Sequence, residues 1–324
     1  MGRRILCVAA LLWLLLAVSP LRAAETDFGT WLAGLKQEAL NSGIRPATIE
    51  LALTGVEPIE RIIELDRKQP ETTVSFEDYL ARVVNQKRRD DARQRLRENK
   101  ALLTEVGRRY GVQPRFIVAL WGIETNFGQV TGGFPVISAL ATLAYDGRRS
   151  AFFRRELINA LKIVDQYHID PHDMTGSWAG AMGQSQFMPS TFLTYAVSYR
   201  GDSKRDIWHR RDDVFASIAN YLAQSGWHAD QTWGRLVKLP PGFDPALIGP
   251  GVKKPLSEWR KLGVRRSDGG LLPSRDLTAS IVRPSGEEGL AVLAYDNFRT
   301  LLKWNSSSYF ASAVGLLADS MESQ

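Results

Sequence analysis

The segment Trp121-Gly-Ile-Glu-Thr-Asn-Phe-Gly128 closes a predicted helix that begins at Pro114, and this helix decides how the rest of the chain is interpreted. Proline is favoured in the first turn of a helix, where its missing N–H costs no hydrogen bond. Apolar side chains recur at helical spacing along one face, namely Phe116, Leu120, Ile123 and Phe127. Glu124 lies about 40° around the helix from Leu120, so we expect it at the edge of this apolar stripe.

Glu124 has two interpretations. A carboxyl at such an edge loses hydrating water, which disfavours its charged form and raises its pKa. A raised pKa lets the group hold a proton near neutral pH and donate it, as general acid catalysis of glycosidic cleavage requires. Most glutamates on a helix are exposed and structural, however. Position alone leaves both interpretations open.

A second segment reads Gly176-Ser-Trp-Ala-Gly-Ala-Met-Gly-Gln-Ser-Gln-Phe-Met-Pro189. Its three glycines would let the backbone approach a ligand closely, and its polar and aromatic side chains offer hydrogen bonds and a stacking face for a sugar. The alternative is a loop between helices whose glycines serve packing. Taken alone, the segment favours the packing interpretation, because glycine-rich loops are common.

The fold class predicted from the whole chain is mainly α, of the α+β kind. One long charged helix is predicted up to Tyr110, with Gly111 as its end. Apolar residues at helical spacing predict further helices over 136–144, 152–167, after Pro189, from Asp213 to Gly226, and over 298–304 and 309–318. After Trp233, prolines and glycines indicate irregular structure, within which 277–282 and 290–295 are typical of short strands.

The first residues have the layout of a bacterial secretory signal. Met1-Gly-Arg-Arg4 is basic, 5–18 is almost continuously apolar, and small residues follow. The apolar run is shorter than the roughly 18–20 residues that span a bilayer, so we expect cleavage and export to the periplasm without a stable membrane anchor. Removal of 1–23 would take away Cys7, the only cysteine, and three arginines, which lowers the formal net charge from +6 to +3.

Several chemistries are excluded. His168 and His172 have the spacing of a helical zinc site, but Pro171 interrupts the helix that would align them. The sequence has no glycine-rich phosphate loop and no serine–histidine–aspartate signature, so we expect neither a metal nor a cofactor. The basic stretch 87–97 also contains acids, and we interpret it as a solvated helix face rather than a nucleic-acid site.

Together, the two segments closely resemble the lytic murein transglycosylase B family. The resemblance continues, in the same order along the chain, through Asp66-Arg-Lys-Gln-Pro-Glu71, Ala139-Leu-Ala-Thr-Leu143, Ala219-Asn-Tyr-Leu222 and Asn305-Ser-Ser-Ser-Tyr-Phe310. It covers nearly all of the mature chain. It implies a lysozyme-like helical catalytic core with a helical N-terminal domain and a small β-containing subdomain.

The resemblance and the coarse pattern of elements together divide the chain into five parts. We expect a signal peptide at 1–23, an N-terminal helical domain at 24–110 and a lysozyme-like catalytic core at 111–233. A small β-containing subdomain is expected at 234–296, followed by C-terminal helices at 297–324 that pack back on the core.

The family cleaves the β-1,4 bond between N-acetylmuramic acid and N-acetylglucosamine without water. The C6 hydroxyl of the muramic acid closes onto C1 and leaves a 1,6-anhydro product. The resemblance puts the catalytic acid at Glu124 and implies substrate contacts at Ser177, Gln186, Phe187, Met188, Tyr221, Asn305 and Tyr79. An aromatic residue precedes the asparagine in the family, and here it is Trp304. The implied partner is the glycan strand of peptidoglycan, bound by a monomer.

This mechanism agrees with the carboxylates of the chain. Ordinary glycosidases pair two carboxylates across the bond, whereas none stands out beside Glu124 in the matching motifs. A nucleophile supplied by the substrate makes a second carboxylate unnecessary. Two alternatives stay open: a catalytically silent murein-binding or scaffolding protein, and a lysozyme-type hydrolase. The reaction product separates all three.

Some members of the family bind calcium in an EF-hand-like loop, and the matching segment here is 198–209. An EF-hand draws ligands from loop positions 1, 3, 5 and 12, which here hold Ser198, Arg200, Asp202 and His209. Only Asp202 and Asp206 are carboxylates, and basic residues accompany them. We therefore expect no calcium, and we expect Asp202 or Asp206 to pair with a neighbouring arginine.

Overall fold

The computed structural model describes residues 27–68, 74–146, 149–286 and 289–322. The predicted signal segment therefore lies outside the described residues, as do residues 69–71 of the stretch that resembles the family. Within the described ranges the fold is mainly α with a small β part, which confirms the predicted fold class. No helix in these ranges is long and apolar enough to cross a membrane.

The N-terminal part is built from short helices whose ends follow the local sequence. Asp27, Ser75 and Asn85 each cap a helix by accepting a hydrogen bond from the backbone N–H three residues further on. Pro46 opens another helix. In order, the helices are α1 (Phe28–Asn41), α2 (Pro46–Leu53), α3 (Glu60–Arg67), α4 (Phe76–Val83), α5 (Gln86–Glu98) and α6 (Lys100–Tyr110).

The prediction of one long charged helix up to Tyr110 is wrong, because α5 and α6 are separate helices. They meet at Asn99, whose side-chain amide donates to the carbonyl oxygen of Arg95 at 2.7 Å. Asparagine commonly bonds to nearby backbone groups in this way and so competes with helix continuation. Gly111, with φ of 68°, ends α6 as predicted.

The charged helix α5 lies on the surface. Ala92 is its only buried residue. Lys87 pairs with Asp91 at 2.6 Å across one turn of the helix, so part of its basic charge is neutralised by its own acids. This stretch therefore forms a surface helix, as expected, and the absence of a nucleic-acid site there stays a prediction.

The central helix α7 (Pro114–Thr125) is surrounded by other helices. Eight of its twelve residues are buried, so the helix is covered on nearly all sides rather than along one stripe. It packs against α5 and α6 and against later helices of the chain. The elements that follow it are β1 (Phe134–Pro135), α8 (Val136–Tyr145), α9 (Ser150–Tyr167), β2 (Thr175–Gly176), α10 (Pro189–Tyr195) and α11 (Arg211–Gln224).

An antiparallel sheet of five strands follows within the described residues, and the sequence predicted two of its strands. The spatial order is β4-β6-β7-β3-β5, with central strands that are almost wholly buried. Two of the missed strands are only two residues long, too short for an alternating pattern. The elements are β3 (Gly234–Lys238), β4 (Lys254–Pro255), α12 (Leu256–Lys261), β5 (Arg265–Arg266), β6 (Thr278–Val282) and β7 (Ala291–Ala294).

The chain ends with α13 (Asp296–Trp304) and α14 (Ser308–Asp319), and α14 packs back on α7. One large hydrophobic core joins residues of the N-terminal, central and C-terminal helices. A second, smaller core around Trp259 and Ile281 lies wholly within 234–296. Because the large core continues across residues 110 and 111, the predicted division at that point stays a prediction.

Trp233 fastens α14 to the sheet-bearing part. Its buried indole Nε1 donates to the carboxylate of Asp319 at 2.9 Å. The ring also lies against Gly315, where an added Cβ would come within 2.1 Å of a ring atom. Only glycine fits at this contact.

Gly315→Ala should therefore lower the free energy of unfolding by about 1–3 kcal/mol, because the new methyl group displaces the Trp233 ring. Denaturant unfolding measures this. Gly34→Ala is the matched control: Gly34 is also helical, but no atom lies within 4 Å of its added Cβ. That variant should gain about 0.5–1 kcal/mol. Equal stability of Gly315→Ala and the wild type would contradict the packing argument.

Candidate active site

Glu124 is the penultimate residue of α7, and the end of that helix fixes its position. The helix ends three residues earlier than the predicted Gly128, because Asn126 and Phe127 adopt left-handed conformations with φ of 49° and 60°. The ring of Phe127 folds back against Gly122, where a Cβ would lie 2.5 Å from it. Glu124 is consequently held half-buried at a sharp turn of the chain.

A group of aromatic side chains, the aromatic wall, lies on one side of this carboxyl and consists of Phe187, Tyr195, Tyr221 and Trp304. The indole Nε1 of Trp304 donates a hydrogen bond to Oε1 of Glu124 at 2.6 Å. The Trp304 ring packs against Tyr221 and Phe187, with centroid distances of 4.7 and 5.3 Å. The hydroxyl of Tyr221 donates to the carbonyl oxygen of Lys303 at 2.6 Å, which ties α11 to α13.

Burial raises the pKa of Glu124 to about 7, and the hydrogen bond from Trp304 partly opposes this rise. Removal of water disfavours the charged form of a carboxyl, whereas a donor to its oxygen favours that form. The direction agrees with the prediction made from its place at the edge of the apolar stripe. Near neutral pH the group can hold a proton and can also release it.

Tyr79 of α4 is a further residue near Glu124. Burial raises the pKa of its phenol, and the negative charge of Glu124 raises it further, so the two groups are within electrostatic reach. Its ring packs against Tyr309 of α14, with 5.5 Å between the centroids. The site therefore combines residues from α4, in the N-terminal part, with residues from the C-terminal helices α13 and α14.

The loop 176–188 is held close to α7 by Gln184. Its side-chain oxygen accepts a hydrogen bond from the indole of Trp121 at 2.9 Å, and its amide nitrogen donates to the carbonyl oxygen of Trp208 at 2.7 Å. The hydroxyl of Thr125 donates to the backbone oxygen of Gln184 at 2.9 Å. The sequence analysis did not assign this bracing role to Gln184, since a glutamine within a polar loop carries no signal of it.

The three glycines that the sequence analysis singled out in this loop serve packing. A Cβ at Gly176 would lie 2.1 Å from the carbonyl oxygen of Ala181. Added Cβ atoms at Gly180 and Gly183 would come within 2.4 Å of Leu140 and 2.6 Å of Ile207. These neighbours belong to the protein itself, so the interpretation as packing glycines is the correct one.

The predicted substrate residues fall into two groups. Phe187 and Tyr221 pack against Trp304, the hydrogen-bond partner of Glu124, and Tyr79 lies within electrostatic reach of Glu124. The second group lies further along the same loop or next to Trp304, and consists of Ser177, Gln186, Met188 and Asn305.

The side chains of the second group make local contacts. The amide of Gln186 donates to the carbonyl oxygens of Thr131 and Gly183. The hydroxyl of Ser177 accepts a hydrogen bond from the backbone N–H of Ala181. Asn305 is exposed, and Met188 is half-buried at the start of α10. Contacts of all these residues with a sugar stay predictions.

The loop 198–209 does not fit calcium. Asp202 accepts a hydrogen bond from Ser198 at 2.7 Å and pairs with Arg210 at 2.8 Å, which confirms the expected pairing with an arginine. Asp206 accepts backbone N–H groups of Trp208 and His209 and lies 3.6 Å from the ammonium of Lys204. The carboxylates that a hard cation needs are thus already bound to groups of the protein.

Such a mainly helical fold, with one proton-holding carboxyl against an aromatic wall, is that of a lysozyme-like protein. The Transglycosylase SLT domain matches residues 27–319, and the chain belongs to this family. The resemblance to the lytic murein transglycosylase B family is thereby confirmed. The chain is 34% identical over 223 residues to the membrane-bound lytic murein transglycosylase B of Escherichia coli (strain K12). That match covers 65% of this chain and 58% of the relative, less than two thirds of its length.

Two crystal structures show the same fold. SltB3 from Pseudomonas aeruginosa, in complex with NAG-anhNAM-pentapeptide, is 46% identical with a TM-score of 0.88. The match covers 91% of this chain and 79% of that one. The Escherichia coli lytic transglycosylase Slt35, in complex with calcium, is 26% identical with a TM-score of 0.75, over 90% of this chain and 92% of that one.

The raised pKa predicts that Glu124→Gln is more stable than the wild type above pH 7 but not at pH 4. Burial keeps the folded carboxyl protonated up to about pH 7, while an unfolded glutamate has its ordinary pKa of 4.5. Between these two pH values the wild type releases the proton only when it unfolds, which favours the unfolded state. The free energy of unfolding of the wild type therefore falls by up to about 3 kcal/mol relative to that of Glu124→Gln. Urea unfolding at pH 4 and pH 8 measures the difference.

Glu98→Gln is the control for this measurement. Hydrogen bonds from Gln94 and Arg95 lower the pKa of the exposed Glu98 carboxyl, so its replacement should not produce the gain at pH 8. A Glu124→Gln variant with the same stability difference from the wild type at both pH values would mean that Glu124 ionises normally.

Proposed function

We propose that this chain is a peptidoglycan lytic transglycosylase that cleaves the β-1,4 bond between N-acetylmuramic acid and N-acetylglucosamine and forms 1,6-anhydro-N-acetylmuramic acid. The observation that carries the proposal is the Glu124 carboxyl, half-buried, with a pKa of about 7 and a hydrogen bond from Trp304. A general acid works best when its pKa lies near the operating pH.

Glu124 acts twice in the proposed reaction. As the acid, it donates its proton to the glycosidic oxygen while the bond from that oxygen to C1 breaks. The positive charge that develops at C1 is stabilised by the substrate's own acetamido oxygen. As the carboxylate, Glu124 then takes the proton of the C6 hydroxyl while O6 bonds to C1. The carboxyl ends protonated, ready for another strand, and no water is consumed.

The surroundings of Glu124 favour ring closure over hydrolysis. Among the described residues, the groups that shift its pKa include no second carboxyl, whereas a lysozyme-type hydrolase pairs two. SltB3, which shares 46% identity, was crystallised with a ligand that contains an anhydro sugar. A silent murein-binding protein has no use for a carboxyl with a pKa near 7. Neither alternative has an observation in its favour.

The substrate lies, in this proposal, along the aromatic wall. Phe187 and Tyr221 are largely buried and flank Trp304, whose half-buried ring offers an apolar face to a sugar, so we propose that these two residues meet the substrate only at their edges. The remaining proposed contacts come from side chains around this wall and from the loop 176–188, namely Tyr79, Ser177, Gln186, Met188 and Asn305. We further propose that the protein acts as a monomer in the periplasm, where its polymeric substrate is found and to which the predicted signal at 1–23 would direct it.

The reaction product tests this function. Purified peptidoglycan digested with the wild type should yield muropeptides that end in anhydro-muramic acid, one water lighter than hydrolysis products and inert to borohydride. Glu124→Gln should lose at least about 10²-fold in activity, because it cannot donate a proton, and should still bind glycan strands. Mass analysis of the fragments gives both results. A majority of borohydride-reducible ends would assign a hydrolase instead.

The pH dependence tests the link between Trp304 and Glu124. Only the protonated Glu124 starts the reaction, so activity should fall as pH rises through about 7. Trp304→Phe keeps the ring packing but removes the donor that favours the carboxylate. In this variant the pKa of Glu124 should rise, and the alkaline limb of the pH profile of kcat/KM should therefore move to higher pH. Trp31→Phe, in α1, is the control. A limb that moves to lower pH in Trp304→Phe would contradict this account.

A further inference from the structure

A cavity of about 280 Å³ lies beside the catalytic carboxyl, between the first turn of α5 and the end of α7. It is lined by Asn85, Lys87, Arg88, Asp91, Asn126 and Val130. Asn126 follows Glu124 by two residues in the chain. The cavity therefore lies near the turn that holds Glu124, although Glu124 itself is not among its lining residues.

The guanidinium of Arg88, which lines this cavity, has only part of its donors in hydrogen bonds. One guanidinium nitrogen, Nη1, donates to the carbonyl oxygen of Val83 at 2.6 Å. Its Nε is buried and has no hydrogen-bond partner. A buried donor on a charged group that lacks an acceptor is costly, but a ligand in the cavity cannot reach an atom without accessible surface, so the accessible part of the guanidinium would meet the ligand. The Val83 contact meanwhile holds the side chain in place before any ligand arrives.

The cavity carries a net positive charge. Its ionisable side chains are Lys87, Arg88 and Asp91. Lys87 pairs with Asp91 at 2.6 Å, and the charge of Asp91 also acts on Arg88. Two cations against one carboxylate leave one positive charge, which suits a single anionic group.

The charges of Arg88 and Lys87 do not shift the pKa of Glu124. Arg88 acts on the phenol of Tyr79, and Tyr79 is in turn within reach of Glu124. Neither Arg88 nor Lys87 is among the groups that shift the pKa of Glu124. The cavity is thus close enough to touch the same substrate molecule, but it does not tune the acid.

We propose that this cavity binds a carboxylate of the stem peptide that hangs from the muramic acid, a proposal that rests on the function given above. The sugar backbone of peptidoglycan is uncharged, since the lactyl carboxyl is used in the amide bond to the peptide, so the anionic groups of the substrate belong to the stem peptide. Arg88 donates to the carboxylate, and Lys87 adds charge. Val130, 65% exposed at the edge of the cavity, offers an apolar contact to an alanine methyl group of the same peptide.

The test compares two substrates: glycan strands that carry stem peptides, and the same strands stripped of peptides by an amidase. The readout is the ratio of KM on stripped strands to KM on peptide-bearing strands, which a general loss of activity or stability does not move. Arg88→Gln and Lys87→Gln should lower this ratio, by about tenfold for Arg88, close to the lower limit for a hydrogen bond to a charged group. Asp91→Asn should raise it, because it removes the competing carboxylate.

Matched controls lie on the same surface. Asp90→Asn removes the neighbouring acid, which pairs with Arg93 instead, and Lys100→Gln removes an exposed cation that does not line this cavity. Both should leave the ratio as in the wild type. The effects of Lys87 and Asp91 should shrink at high salt, since these groups are partly exposed.

Each outcome has a separate meaning. Ratios that change in opposite directions for Arg88→Gln and Asp91→Asn support the stem-peptide site. Ratios that stay at the wild-type value in all three cavity variants overturn it, whatever happens to the rate. Failure of the proposed function is recognised independently, because the wild type would then release no anhydro ends from either substrate.

Discussion

The hydrogen bond from Trp304 to Glu124 joins two parts of the chain that are 180 residues apart, and the chemistry depends on it. Burial alone would raise the pKa of the Glu124 carboxyl further, because loss of water disfavours the charged form. The indole donor is the compensating contact, and it leaves the pKa of Glu124 at about 7 rather than higher. One nitrogen atom thus keeps the group able both to give and to take a proton.

That contact needs a rigid frame, because a hydrogen bond is lost when its partners move apart by less than an ångström. The large core supplies the frame by joining helices from both ends of the chain around α7. On one side, Gln184 ties the loop 176–188 to Trp121. On the other, Trp233 is seated against Gly315 of α14 and bonded to Asp319. Trp304 itself packs against Phe187 and Tyr221, which restrict its movement away from Glu124.

Local rules predicted much of this from the sequence. The end of α6 at Gly111 and the proline that opens α7 have signals that act over a few residues. The break at Asn99 was missed because one local hydrogen bond decided it against a continuous helical pattern. The partner of Glu124 could be noted only as the aromatic residue before Asn305, since a contact between distant residues leaves no trace in spacing. The glycines of the loop were ambiguous for the same reason, until their neighbours in space were known.

The loop 198–209 has a consequence for how the protein responds to its surroundings. A loop that is held together by a bound ion gains stability that rises with the logarithm of the free ion concentration. Here the countercharges of Asp202 and Asp206 are Arg210 and Lys204, which are covalent parts of the chain. Their local concentration is set by the fold and cannot be diluted. The electrostatic cohesion of this loop therefore does not rise with the concentration of a bound ion, and dissolved salt acts on it only by screening the exposed charges.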